Sequence, residues 1–245
     1  RVRLNHLIAQ DQPGCWVAES EDGCVSGAVA ALLREGMWGL STYAVEPGLQ
    51  TRGVGKGLLE TALTYGPADA PGFICSSHDV RAIRRYRLAG FDVHPTMLMW
   101  GHVARSALPS GIDVRQGRPD DVELLDEIDR ASRGAGHGVD HTILVDQYRL
   151  VIVERGSSRA YTYVYGSGAP YLLAATDLDA AKRALWVALA ASAPDVPIDF
   201  GYLTARHGWA VDVGLRAGLE LHNRGFLALR GMTPPAAYLP SGHFL

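Results

Sequence analysis

Cysteine is scarce in this chain, and long apolar runs are missing. Of the 245 residues only three are cysteines, at positions 15, 24 and 75, and no two of them have C-x-x-C spacing. An odd number without that spacing favours buried thiols in a reduced, cytoplasmic compartment. The longest apolar run, around residues 184–193, is too short to span a bilayer, and no signal peptide opens the sequence.

An excess of basic charge is also missing. Lysine and arginine total 23 against 26 acidic residues, which gives a formal net charge of −3 and a pI near 6.3. Such a chain has no general attraction for nucleic acid or an anionic membrane, so any cationic site must be local. With 47% apolar and 20% charged residues, the composition is that of an ordinary globular protein with one large or two small cores.

Two halves of the chain show the same order of elements. The periodicity of the first half predicts strands at 15–20, 25–33 and 38–46, a helix at 54–65, a strand at 72–76, a helix at 79–89 and a strand at 91–100. After a linker at 104–111, strands at 151–154, 160–165 and 171–176 precede a helix at 180–191, a strand at 198–203, a helix at 209–217 and a strand at 225–230. Setting Gly90 on Gly218 gives an offset of 128 residues, which indicates a tandem repeat.

The second half opens with an extra strand and helix, at 112–131, that the first half lacks. The first half begins with a short helix at residues 1–9. We therefore expect the natural chain to start before Arg1 and this sequence to lack the first strand and helix of the repeat. The predicted domains are residues 1–104 and residues 105–245.

A glycine-rich segment at residues 50–57 follows the third strand and opens a helix. It does not match a Walker loop, because Val54 stands at the lysine position, and it does not match a dinucleotide fingerprint, because Leu58 stands at the third glycine. Free amides at a helix start, the positive end of the helix dipole, and the side chains of Arg52 and Lys56 nevertheless make an anion site. Three glycines close together are costly unless a ligand approaches the backbone, so the segment predicts a phosphate cradle.

Two motifs in this half resemble those of the GNAT superfamily of N-acetyltransferases. The first is Q-x-x-G-x-G at residues 50–55, directly after a strand that ends V-x-P at residues 45–47, and the second is D-x-x-A-x-x-x-Y-x-x-x-G-F at residues 79–91. The resemblance covers residues 15–100 well and, through the repeat, most of the rest weakly. It implies an α/β fold, of the α+β type, with a mixed and mostly antiparallel sheet flanked by helices, in a tandem GNAT arrangement.

The resemblance also implies an acetyl-CoA site without a metal. Backbone amides of residues 51–57 would hold the pyrophosphate, the pantetheine arm would lie along the third strand, and Tyr86 would protonate the departing CoA thiolate. A phenol suits that task because its ordinary pKa, about 10, is not far above the thiol value of about 8.5. The implied cofactor-binding residues are Ala44, Val45, Gln50, Thr51, Arg52, Gly53, Val54, Gly55, Lys56, Gly57, Asp79 and Tyr86.

The general base is not marked by a motif. Family members often carry Glu or His in the middle of the third strand, where this sequence has Gly39, Leu40 and Ser41. Glu46 is the first candidate, with a solvated strand end as the alternative interpretation, and His78 is the second candidate. A base is unnecessary if the amine arrives neutral.

The second half is expected to keep the fold without the chemistry. At the offset of 128, Ala181, Arg183 and Leu185 replace the three glycines, and Gly214 replaces Tyr86. Asp177 and Asp179 would occupy the helix start and repel pyrophosphate. We therefore expect one active site per chain. The loop at residues 133–141 carries two histidines, His137 and His141, and is interpreted as a satisfied loop or substrate contact rather than a metal site.

These features predict an acetyl-CoA-dependent N-acetyltransferase that transfers acetyl directly to an amine. The expected partner is a small-molecule or peptide amine, with neither nucleic acid nor membrane, and a homodimer is left open. Two alternatives remain: a non-catalytic acyl-CoA-binding or sensing protein, and a specialised tandem acetyltransferase of secondary metabolism, antibiotic modification or mycothiol-type biosynthesis. No residue selects the acceptor.

Overall fold

The computed structural model describes all 245 residues and divides into two compact units. The first comprises Arg1–Val93, Ala228–Thr233 and Gly242–Leu245, and the second comprises His94–Leu227 and Pro234–Ser241. The predicted linker at 104–111 therefore lies within the second unit. None of the helices is both long enough and apolar enough to cross a membrane.

The first unit is a sheet with helices that follow the predicted order. Its elements are α1 (Val2–Gln10), β1 (Cys15–Glu19), β2 (Val25–Arg34), β3 (Met37–Val45), α2 (Val54–Leu63), β4 (Gly72–Ser76) and α3 (Val80–Leu88). The strands lie in the order β1-β2-β3-β4, with β1, β2 and β3 antiparallel and β3 parallel to β4.

The core of the first unit forms where α2 packs on the sheet. Leu58, Leu59 and Ala62 are the buried residues of α2, and their spacing of one, three and four places them on one helix face. They share a cluster with Trp38 of β3, whose indole Nε1 donates to the Ala62 carbonyl oxygen at 3.0 Å. Full burial of one such side chain stabilises the fold by about 1.5–3 kcal/mol. This packing fixes the start of α2 beside the end of β3.

The second unit contains two groups of strands. Its elements are β5 (Asp92–Gly101), β6 (Arg115–Gln116), α4 (Val122–Arg133), α5 (Asp140–Gln147), β7 (Arg149–Arg155), β8 (Ser158–Val164), β9 (Pro170–Ala175), α6 (Leu178–Ala190), β10 (Ile198–Leu203), α7 (Gly208–Arg216), β11 (Glu220–Arg230) and β12 (Tyr238–Leu239). One group has the order β12-β9-β8-β7-β6, all antiparallel, and the other β11-β5-β10. The unit boundaries fall inside β5 and β11.

The mixed, mostly antiparallel α/β fold predicted from the sequence is confirmed, and the repeat is visible in it. The elements α2, β4 and α3 recur as α6, β10 and α7, and α3 and α7 are each followed by a left-handed glycine, Gly90 with φ 87° and Gly218 with φ 84°. The single offset of 128 is wrong at the first of these helices, because α2 begins at Val54 and α6 at Leu178. Asp177, and not Ala181, is therefore the counterpart of Gly53.

Candidate active site

The edge of β3 opens into a gap within the first unit. β3 pairs with β4 only through Trp38 with Gly72 and Gly39 with Phe73, although β3 continues to Val45. Beyond Gly39 its β4-facing backbone groups are not part of that ladder. A free strand edge can accept an extended ligand through main-chain hydrogen bonds. This gap lies where the sequence places the pantetheine arm, next to Ala44 and Val45.

The glycine-rich segment forms an open helix start. Gly53 is the N-cap of α2, with φ 95°, and Thr51 also has a positive φ of 71°. No side chain caps the helix, and residues 51–53 are exposed. The first amides of a helix have no partner within it, so here they are available to an anion. Gln50 anchors the loop, because its Nε2 donates to the Val45 carbonyl oxygen at 3.1 Å.

Tyr43 is a site residue that the sequence analysis missed. Its hydroxyl donates to the Gly55 carbonyl oxygen at 2.7 Å, which ties β3 to the first turn of α2. A Cβ atom at Gly55 would lie 2.6 Å from that hydroxyl oxygen, whereas Gly53 and Gly57 have open space around them. Gly55 is therefore required by close packing. An aromatic residue two positions before the strand end was the available signal, but nothing in the sequence connects it to Gly55.

Charge around the open helix start comes from flexible side chains. Arg52 and Lys56 are exposed, and Lys56 Nζ lies 3.7 Å from Glu60 Oε1 in a pair whose side chains are 65% and 63% exposed. An exposed pair of this kind contributes little to stability. Both cations therefore remain free to reach a bound phosphate.

Tyr86 lies on α3 and is 4% exposed. Its ring centroid is 6.2 Å from that of Tyr43. Burial, and then the neighbouring Tyr43, raise the pKa of the Tyr86 phenol well above its ordinary value, and the nearby Ser76 side chain only partly offsets this. The phenol therefore keeps its proton at neutral pH and can donate a hydrogen bond to a developing thiolate.

Asp79 holds the start of α3. Its Oδ1 accepts from the Arg81 backbone N at 2.9 Å, and the Arg81 guanidinium reaches both carboxylate oxygens at 2.9 and 2.6 Å. The hydrogen bond from the Arg81 side chain is the main reason that the pKa of Asp79 falls to about 2. Asp79 thus orients the helix that carries Tyr86, while its predicted contact with the cofactor stays a prediction.

The two candidate bases are on the surface of the first unit. Glu46 directly follows β3, its backbone N donates to the Ser26 carbonyl oxygen at 3.0 Å, and no hydrogen bond or ion pair holds its exposed carboxylate. His78 is exposed on the loop before α3. No partner orients the Glu46 carboxylate, and the structure does not select between the two residues, so the assignment of a base stays a prediction.

In the second unit, a side chain and a strand occupy the positions that correspond to the open helix start and the free strand edge of the first unit. Asp177 is the N-cap of α6 and accepts from the Ala180 backbone N at 2.9 Å, so the anion position is taken by a carboxylate. In β9, the counterpart of β3, the corresponding edge is not free, because β12 pairs with it through Leu173 with Leu239 and Ala174 with Tyr238. A cofactor would have to displace both.

The histidines of the 133–141 loop lie in a buried cluster of the second unit. His137 Nδ1 lies 2.7 Å from Asp129 Oδ2, and His141 Nε2 lies 3.1 Å from the same oxygen. All three residues are 0% exposed, and their candidate ligand atoms lie within 4.8 Å of one another.

Tyrosine hydroxyls satisfy the remaining polar atoms of this cluster. Tyr161 donates to Asp129 Oδ1 at 2.6 Å, while the hydroxyls of Tyr163 and Tyr238 lie 3.0 and 3.2 Å from the second nitrogens of His141 and His137. The arrangement fits a satisfied loop, as expected from the sequence, and the absence of a metal stays a prediction.

Residues 2–91 match the model of the Acetyltransferase (GNAT) family. A crystal structure from Pyrococcus horikoshii, provisionally assigned as an acetyltransferase, superposes with a TM-score of 0.76 at 15% identity, over 98% of this chain and 84% of that one. None of the curated proteins matches the sequence.

Two further structures are similar over most of their length. A GCN5-related N-acetyltransferase from Sphaerobacter thermophilus gives a TM-score of 0.54 at 15% identity, over 89% of this chain and 81% of that one. A tandem GNAT protein from the clavulanic acid biosynthesis pathway gives 0.51 at 15% identity, over 90% and 83%. At these identities the likeness shows the fold. The chain therefore has the fold of tandem GNAT proteins, and its residues 2–91 are similar to the GNAT acetyltransferase family.

Proposed function

We propose that the first unit binds acetyl-CoA and transfers its acetyl group to an amine. The observation that carries this proposal is the uncapped, positive-φ start of α2 at the end of a strand whose edge is free beyond Gly39. The open amides suit the pyrophosphate, and the free edge beside Ala44 and Val45 suits the amide groups of pantetheine. Arg52 and Lys56 would add charge to the phosphates.

In the proposed reaction, the amine nitrogen attacks the thioester carbonyl carbon and the carbon–sulfur bond breaks. The sulfur leaves as a thiolate, which Tyr86 stabilises by a hydrogen bond and then protonates. Because burial raises the pKa of Tyr86 further above that of a thiol, the hydrogen bond from the phenol supplies most of the stabilisation of the thiolate, and the uphill proton transfer completes only as CoA leaves. The proton lost by the amine leaves to water or to Glu46.

We further propose one such site per chain. The support is the Asp177 carboxylate at the start of α6 together with the pairing of β12 along β9. The domain division at residues 104 and 105 is also a proposal. So is a reduced, cytoplasmic location, which is inferred from three cysteines that form no disulfide.

Tyr86→Phe tests the catalytic proposal. Removal of the proton donor is expected to lower kcat by about 10²–10⁴-fold with a panel of amines. Because the ring is retained, the dissociation constant of acetyl-CoA should stay within about twofold. CoA release is followed with a thiol reagent, and binding by calorimetry. Tyr65→Phe is the matched control, because it removes a phenol that hydrogen-bonds Asp11 at 3.0 Å and is assigned no role in the reaction.

A non-catalytic acyl-CoA-binding or sensing function is the second candidate. It is favoured by the lack of an acid or histidine at Gly39, Leu40 and Ser41 in the middle of β3. Acetyl-CoA binding without Tyr86-dependent turnover on any amine would support it over catalysis. The fold likeness to the tandem GNAT protein of the clavulanic acid pathway keeps a role in secondary metabolism open.

A further inference from the structure

The middle of β3 contains a β-bulge. Ala30 of β2 pairs with Thr42, and the next residue, Ala31, pairs with Leu40, so Ser41 has no partner across the ladder. Such bulges redirect side chains and are common beside active sites. Ser41 lies three residues before Ala44, where the pantetheine arm is proposed to run.

Ser41 carries a buried hydroxyl without a hydrogen bond. The residue is 7% exposed, and its Oγ atom has no partner. A buried hydroxyl normally finds a partner, because leaving one unmade costs its full desolvation. A polar atom that is orphaned in the free protein therefore indicates a ligand group that satisfies it.

A second orphaned donor approaches the same stretch from α1. Arg3 Nη2 lies 3.4 Å from Thr42 Oγ1, while Arg3 Nη1 is buried and has no partner. The charge of Arg3 also acts on His243. The pKa of His243 falls to about 4, first because the ring is buried and second because the Arg3 guanidinium disfavours its protonated form.

The register places Thr42 on the face of the sheet that α1 covers. Directly paired residues share a face, and Ala30, the partner of Thr42, clusters with Leu7 of α1. Ala44 follows Thr42 by two residues, so it lies on the same face, about 7 Å further along the strand. Toward the start of β3 this face is closed, because a Cβ atom on Gly39 would clash with Leu245 Cδ1.

We propose that Arg3 and Ser41 bind an oxyanion of the acceptor, so that the substrate is an amine that also carries a carboxylate or phosphate group. The Arg3 guanidinium is a donor, the Ser41 hydroxyl can donate, and both belong to the same stretch of β3, where a guanidinium is a good match to an oxyanion. The anion would then lie about 7 Å along β3 from Ala44, beside which the pantetheine arm is proposed to run. The inference rests on the proposed acetyl transfer and narrows its substrate class.

The test compares matched amines. Natural amino acids, their carboxamides and aminoalkylphosphonates are assayed for kcat/KM with acetyl-CoA. We expect the best acid to exceed its own carboxamide by at least tenfold. Arg3→Gln should remove most of that preference with unchanged acetyl-CoA affinity, and Arg3→Lys should restore part of it. Arg1→Gln, an exposed residue of the same segment, is the control and should leave the preference intact. A phosphonate that outperforms the acids would identify the anion as a phosphate.

Binding measurements separate this inference from the proposed reaction. The same compounds are titrated into protein saturated with CoA. Binding of an acid that depends on Arg3, without turnover, would uphold the anion site and refute acetyl transfer. Turnover of carboxamides as fast as acids, or a preference that survives Arg3→Gln, would overturn the anion site and leave acetyl transfer standing. If neither the amino acids nor the aminoalkylphosphonates bind or react, the inference is wrong.

Discussion

Gly53→Ala and Gly57→Ala form a matched pair that tests whether the start of α2 is held in a conformation that only glycine tolerates. A Cβ atom at either position would meet no atom within 4 Å, so sterics with neighbours cannot distinguish them. They differ in backbone conformation. Gly53 has φ 95°, whereas Gly57 lies inside the helix and has no positive φ.

The expected effects have opposite signs. A side chain at a left-handed position costs about 1–2 kcal/mol, so Gly53→Ala should lower the free energy of unfolding by that amount. Gly57→Ala should raise it by about 0.5–1 kcal/mol, because alanine has less conformational entropy to lose in a helix. The two variants should therefore differ by about 2 kcal/mol, which corresponds to roughly 4–8 °C in Tm for a protein of this size.

Urea denaturation and thermal melts of both variants measure this difference. Gly53→Ala should also weaken acetyl-CoA binding, because the variant must adopt the left-handed turn to bind. Each 1.4 kcal/mol that this turn costs should raise the dissociation constant about tenfold. Equal stabilities of the two variants would refute the role given to the turn. So would a Gly53→Ala protein with unchanged stability and unchanged acetyl-CoA affinity.

Three further predictions concern buried or capped polar groups. Asp177→Ala should destabilise the protein by about 1 kcal/mol in urea melts by removing the cap of α6, and unchanged stability would contradict the capping role. Ser41→Ala should raise the free energy of unfolding by about 1–3 kcal/mol, because it removes an unsatisfied buried hydroxyl, and a loss of stability would show that Ser41 has a partner. Burial lowers the pKa of His207 to about 4, so its stability contribution is complete above the unfolded value of about 6.5 and is lost as the pH falls toward 4. Between pH 7 and pH 5 the free energy of unfolding should therefore fall by about 2 kcal/mol because of His207. His207→Asn should remove this pH dependence, whereas the control His222→Asn, at an exposed position, should keep it. A His207→Asn protein that keeps the pH profile of the unmodified protein would refute the prediction.

Much of the fold could be predicted because its signals are local. Apolar periodicity located the strands and helices, and the glycines after α3 and α7 marked both helix ends and revealed the repeat. The uncapped start of α2 was also predictable, since glycine spacing and the failure to match nucleotide loops are properties of one short segment.

Features that depend on pairing between distant segments were not predictable. The hydrogen bond from Tyr43 to Gly55 needs the gap between β3 and β4, and the bulge at Ser41 needs the register of β2 against β3. The pairing of β12 with β9 likewise joins segments about 65 residues apart in sequence, which no local pattern specifies. The constant repeat offset failed for the same reason, because loop lengths between matching elements differ.

The number of CoA molecules bound per chain tests the central claim most directly. Calorimetric titration of the full chain with acetyl-CoA should give one site. Gly55→Glu should abolish it, because any side chain there meets Tyr43 and a carboxylate at the helix start repels pyrophosphate. Two sites per chain, or one site that survives Gly55→Glu, would contradict the assignment of the cofactor site to the first unit.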